Sequence, residues 1–78
     1  MIYFLEATNG LVKIGYSGNV SQRVKDISFM SPLPLRLIAT LPGDKRQEKL
    51  IHSFFRRSHG EWFYPDPRLQ RYLGKISR

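Results

Sequence analysis

The tripeptide Thr8-Asn9-Gly10, set between two runs of alternating apolar residues, constrains the fold of this chain more than any other stretch. Asn-Gly supplies the positive φ angles that tight hairpins require. Residues 1–7, rich in Ile, Tyr, Phe and Leu, and the run from Leu11 to Tyr16 then become two antiparallel strands. How the turn closes decides what the strands present. A two-residue Asn9-Gly10 loop sets Tyr3 opposite Tyr16 and Leu5 opposite Ile14, with all four on one face. One bulged residue more brings Lys13 and Gly15 to the side of Tyr3 instead. Both registers are open to the sequence.

After the hairpin, Ser17-Gly18-Asn19 is a turn, and Asn19 is an N-cap with Gln22 three residues on, a capping-box spacing. Val20, Val24 and Ile27 form an apolar stripe that predicts a helix over about residues 20–28, with Arg23 at the stripe's edge. Ser31-Pro32-Leu33-Pro34 cannot be helix interior and reads as an extended connection. Leu35 to Leu41 is a third strand, with Leu35, Leu37 and Ala39 alternating against Arg36. Asp44, with Gln47 behind it, caps a second helix predicted over 44–57, with Ile51, Phe54 and Phe55 as core candidates. Glu48, Ile51, His52 and Phe55 share one stripe of that helix. Ser58-His59-Gly60 breaks it, Glu61 to Tyr64 is a short extended segment, and Asp66-Pro67 opens a last helix with Leu69, Tyr72, Leu73 and Ile76 inward. The order predicts one α+β domain over 1–78, a small three-stranded, mainly antiparallel sheet flanked by helices.

Charge narrows the partner. Lys and Arg number 13 against 6 Asp and Glu, a net charge of +7. That balance points to a polyanion, either nucleic acid or an anionic membrane surface. No apolar run approaches the ~20 residues of a membrane span, and Met1 to Leu5 runs into Glu6 too soon for a signal peptide. Nucleic acid is therefore the expected partner and the cytoplasm the expected location. Arg23, Lys25, Arg56, Arg57, Arg68 and Arg71 are the candidate nucleic-acid contacts. With no cysteine there are no disulfides, zinc ribbons or thiol nucleophiles.

The ordered set Ile2-Tyr3, Lys13-Ile14-Gly15, Asn19, Arg23 and Glu48 resembles the GIY-YIG nuclease superfamily. His52-Ser53-Phe54-Phe55 followed by Gly60-Glu61-Trp62-Phe63 is similar to one small branch of it, common in phage and bacterial reading frames. The resemblance covers residues 1 to about 73. It implies a three-stranded antiparallel sheet and magnesium- or manganese-dependent cleavage of DNA phosphodiester bonds. By position it assigns Tyr3 to the attacking water, Gly15 to the open floor of the site, Arg23 to the phosphate and Glu48 to the metal. Met1 stands where the first motif has glycine, Lys13 stands where the second has tyrosine, and the late asparagine of several members has no counterpart.

These residue types suit the chemistry. Hydrolysis of a phosphodiester needs an activated water, charge stabilisation at the phosphoryl oxygens and help for the leaving oxygen. Arg23 offers a planar fork, and Glu48 a single carboxylate sufficient for a magnesium ion that keeps most of its waters. Lys13 and Arg23 are expected to lower the Tyr3 pKa from its usual value near 10 towards that of a useful base. Lys13, Tyr16 and His52 are supporting catalytic candidates. His52 either meets the metal-bound water and the phosphate or hydrogen-bonds within the core. Trp62 and Phe63 are read as core or wall in preference to base-stacking platforms, and Glu61 either shapes a turn or lies near the site. The competing reading is a catalytically inactive nucleic-acid-binding module on the same fold. The expected state is a monomer or weak homodimer.

Overall fold

The computed structural model describes residues 1–77. The elements are β1 (Ile2–Ala7), β2 (Val12–Tyr16), α1 (Val20–Met30), β3 (Leu35–Leu41), α2 (Lys45–His52), β4 (Arg57–His59), β5 (Trp62–Phe63) and α3 (Pro67–Ile76). The strands form one antiparallel sheet in the order β3-β1-β2-β5-β4. The α+β class expected from the sequence holds, with five strands in place of three. No helix among the described residues is long and apolar enough to cross a membrane.

The first turn settles the register. Ala7 N–H donates to Leu11 O at 3.0 Å, and Gly10 N–H donates to Ala7 O at 2.9 Å. Thr8, Asn9 and Gly10 therefore form a three-residue loop, with Gly10 at φ 89° and the Asn9 side-chain oxygen accepting from Leu11 N–H at 3.1 Å. A three-residue hairpin loop of this kind ends on a residue at positive φ, which Gly adopts without a Cβ clash. The added residue pairs Tyr3 with Gly15 and Leu5 with Lys13. Tyr16 pairs with Ile2 and so belongs to the other face, away from Tyr3.

The two faces of the sheet have different covers. Ile2, Phe4, Val12, Ile14, Ala39 and Phe63 form one face and are buried against Ile51 of α2 and Leu69 and Leu73 of α3. Each large aliphatic or aromatic side chain removed from water there contributes roughly 1.5–3 kcal/mol. Tyr3, Leu5 and Ala7 are buried on the opposite face, beneath α1. Helix α1 has no buried residue, and Val20, Val24 and Ile27 are only half-buried. It leans on its face of the sheet without sealing it.

Three expectations need correction. Strand β3 carries an irregularity opposite Phe4 and Leu5, so Leu37 pairs with Leu5 while Ala39 pairs with Phe4. That shift sends Leu37 and Ala39 to opposite faces and turns Ile38 towards the core. Helix α2 stops at His52, not at residue 57, with the Ser53 hydroxyl donating to Leu50 O at 2.6 Å. Phe54 is 51% exposed and outside the core. The segment read as helix end and breaker is a second hairpin, β4–β5, turning through Gly60 at φ 53° and extending the sheet beyond β2.

Gly10→Ala should destabilise the protein by about 1–2 kcal/mol, because an L side chain is strained at this positive φ. For a domain of this size each kcal/mol lowers the melting temperature by roughly 4–8 °C. Gly18→Ala is the matched control, since an added Cβ there meets open space and Gly18 has no positive φ. Thermal melts followed by circular dichroism should separate the two variants. Equal melting temperatures would remove the turn from its place in setting the register.

Candidate active site

The half-covered face gathers the polar side chains. Tyr3 lies over Gly15, its cross-strand partner. A Cβ built on Gly15 would overlap the Tyr3 ring at Cζ and the hydroxyl. Glycine at this position is thus a steric requirement, because the phenol occupies the space of the absent side chain. Arg23 reaches Tyr3 from the second turn of α1. That helix is fixed by Asn19, whose side-chain oxygen accepts from Gln22 N–H at 3.1 Å. The reciprocal half of the expected capping box is not made, since Gln22 Nε2 donates to Asp26 at 2.9 Å.

Glu48 arrives from α2. Its helix start is pinned by a complete capping box, with Gln47 N–H donating to Asp44 Oδ1 and Asp44 N–H donating to Gln47 Oε1, each at 3.0 Å. Glu48 is the one buried charged residue among those described. Burial raises its pKa above the ordinary value, and the neighbouring Glu61 carboxylate raises it further. His52, Lys45 and Lys13 pull in the opposite direction without winning.

The neighbours of Tyr3 overturn the expected direction of its pKa. Burial raises it, and the negative charges of Glu61 and Glu48 add to the rise. Hydrogen bonding and charge from Arg23 favour the phenolate but do not overcome the burial. The hydroxyl therefore stays protonated at neutral pH. Arg23 in turn holds its proton more firmly, first through its hydrogen bond with Tyr3. Lys13 is engaged with Glu61 at 3.2 Å and lies 5.5 Å above the Trp62 ring.

His52 takes the core-side role among its two alternatives. Its Nε2 lies 2.8 Å from Ile14 O, and because a carbonyl only accepts, Nε2 carries the donated proton. The geometry has a cause in the sheet. Ile14 N–H donates to Glu61 O at 3.0 Å, but β5 begins only at Trp62, and no further strand residue meets the Ile14 carbonyl. His52 fills that position, packs on Phe63 with ring centroids 4.9 Å apart, and sits 3.9 Å from Glu48 Oε1.

The structure thus gathers Tyr3, Lys13, Gly15, Arg23, Glu48 and His52 and leaves Tyr16 outside. Glu61 joins them as a neighbour of Tyr3, Lys13 and Glu48 alike. The sequence signal for it was the Gly60-Glu61 pair, which has meaning only once β4–β5 is known to be a hairpin beside β2. Arg56 stacks on Tyr64 at 4.8 Å and Arg57 on Phe63 at 5.6 Å. Arg68 and Arg71 belong to α3, which covers the core face, where they border a groove with Phe54, Phe55 and Tyr72. Lys25 is exposed on α1, two residues and so about 200° around the helix from Arg23.

A family model described as the T5orf172 domain matches residues 1–72. That span includes every residue of the cluster, and the chain belongs to the T5orf172 domain family, a phage-associated domain related to nuclease modules. No curated protein and no solved structure matches the chain.

Glu48 yields a prediction about stability. Folding raises its pKa, so the folded protein binds that proton more tightly than the unfolded chain does. The ionised side chain therefore opposes folding above the folded pKa, and the penalty disappears as pH falls below the ordinary value of 4.5. Glu48→Gln should melt a few degrees above the parent at neutral pH and lose that advantage below pH 4.5. Melting curves of both proteins across this range provide the check. A parent that is the more stable at neutral pH would contradict the burial argument.

Proposed function

We propose that this T5orf172-family domain is a metal-dependent endonuclease of the GIY-YIG kind, hydrolysing phosphodiester bonds of DNA. One observation carries the reading: the Tyr3 phenol of β1 hydrogen-bonds with Arg23 of α1 and lies within electrostatic reach of the buried Glu48 carboxylate of α2. A buried carboxylate beside a second carboxylate is an arrangement that a bound cation would stabilise.

The donor set fits a hydrated hard cation. Among the described residues no three His, Cys, Asp or Glu side chains converge to enclose a metal ion. Magnesium keeps several of its waters and takes one or two carboxylates together with substrate phosphate. Glu48 is the carboxylate for that task, since a positive charge beside it would relieve both its burial and the proximity of Glu61. Bound there, magnesium or manganese would polarise the phosphate and stabilise the departing oxygen.

The protein's own groups do the remaining work. Arg23 presents its fork to the phosphoryl oxygens, where charge grows in the transition state. Tyr3, neutral at rest, orients the attacking water through its hydroxyl and is not a free phenolate. Lys13 stands on Tyr3's side in place of the second-motif tyrosine and adds positive charge beside Glu61. His52 is a positioning residue, holding the end of β2 and the flank of Glu48. Tyr16 has no part, because the register places it on the other face.

A second reading, a binding module without catalysis, draws on the same neutral Tyr3 and on Lys13 in the tyrosine position. The two separate in one assay. Purified protein should nick or cut DNA with magnesium or manganese and lose activity with chelator. Arg23→Ala should reduce cleavage by about a hundred- to a thousandfold, the scale for removing one preorganised charge-stabilising donor. Glu48→Gln should abolish cleavage while binding survives, and binding should weaken steeply with added salt. Undiminished cleavage by Glu48→Gln would sink the metal assignment. Salt-sensitive binding without cleavage under any divalent cation would establish the second reading.

A further inference from the structure

Between α1 and the sheet lies a cleft of about 480 Å³ that shares Lys13 and Arg23 with the proposed site and whose remaining lining phosphodiester hydrolysis does not use. Trp62 of β5 forms one wall, and Ile27 and Met30 of α1 form the other. Met30 is 81% exposed even though it borders this cleft. Asn9 is also at its edge; its side-chain oxygen is used on Leu11 N–H, which leaves its amide NH2 to donate.

A phosphate alone has no use for apolar walls and an indole. A flat group with two apolar faces and a polar edge does, provided an anion is attached at the right end. The volume lies within the range of small-ligand pockets, roughly 300–1,000 Å³. The cations fix the orientation, since the charged end of the ligand must sit towards Lys13 and Arg23, next to Tyr3 and Glu48. We infer that this cleft receives one unstacked nucleobase, the base next to the phosphate held by Arg23, with Trp62 as its stacking partner. The inference rests on the nuclease reading and specifies its substrate class. A base inside a duplex is paired and stacked, and must leave the stack to enter a side pocket. The preferred substrate is therefore DNA with an unpaired nucleotide at the cut: a single strand, a frayed end, a branch or a mismatch.

The chain has a single tryptophan, so Trp62 emission reports the cleft directly. Glu48→Gln protein, full length and unable to cleave, is titrated with a short single-stranded oligonucleotide. The comparison is an abasic strand of equal length and phosphate count. The intact strand should quench Trp62 and bind about fivefold to a hundredfold more tightly than the abasic one, the range that stacking on an aromatic side chain supplies. Met30→Ser, a change at an exposed wall residue, should reduce that preference and leave abasic binding unchanged. Equal affinities with Trp62 emission unmoved at saturation would overturn the proposal. Cleavage is measured separately on the unsubstituted protein. Cleavage with unmoved Trp62 emission removes the base pocket and keeps the nuclease, whereas quenching without cleavage keeps the pocket and removes the nuclease.

Discussion

The rest of this structure depends on the packing of the Tyr3 ring into the space that Gly15 leaves empty. The contact exists because the first turn holds three residues, which places those two positions opposite each other. It cannot shift by one residue without moving Val12 and Ile14 out of the core and Tyr16 into the place of Gly15. The same hydrophobic burial that stabilises the domain therefore fixes where the phenol points. Arg23, Glu48 and Glu61 are arranged around a hydroxyl whose position is already determined by the core on the opposite face.

Size explains why the face of the sheet above Tyr3 is covered by one helix alone. A chain of 78 residues buries a smaller share of its surface than a large domain does, and it cannot cover both faces of a five-stranded sheet equally well. Helices α2 and α3 close one face around Ile51, Leu69 and Leu73. The other face has only α1, whose apolar stripe is half-buried throughout. The incomplete cover is what makes a site possible, because it leaves a cleft whose floor is a rigid sheet and whose rim carries cations. It also places Phe29, 90% exposed at the end of α1, on a helix that is held mainly by its cap and by contacts of a few side chains.

What the sequence made legible was local. Asn9-Gly10, Asn19, Asp44 and Asp66-Pro67 each act on their own neighbours, and each turn or cap formed where its chemistry demanded. What it hid was long-range. Phe54, Phe55, Arg56 and Arg57 continue a helical pattern, yet Arg57 to His59 pair with β5, and that pairing overrides local preference. The displacement of Leu37 from Ala39 depends on a strand irregularity that no residue in β3 announces. The proposed set of Tyr3, Arg23 and Glu48 rests on family resemblance, and the separation of Tyr16 from Tyr3 needed only the register. The pKa of Tyr3 was misjudged because two cations were counted in the sequence, while burial and two carboxylates became visible only in three dimensions.

The short β5 connects these features. Had it begun at Glu61, the reciprocal N–H of that residue would have met the Ile14 carbonyl. Because it does not, the carbonyl takes its hydrogen bond from His52, and a histidine of α2 is held at the edge of the sheet. Glu48, one helical turn earlier on the same face, is thereby carried to the gap, where it meets Glu61 and lies within the electrostatic reach of Tyr3. An unpaired buried carbonyl would cost about 1–3 kcal/mol, so the His52 bond is strongly favoured and the placement of Glu48 follows from it. A backbone vacancy in the sheet is in this way converted into a buried carboxylate. Its ionised form is disfavoured first by burial and then by the neighbouring Glu61 carboxylate.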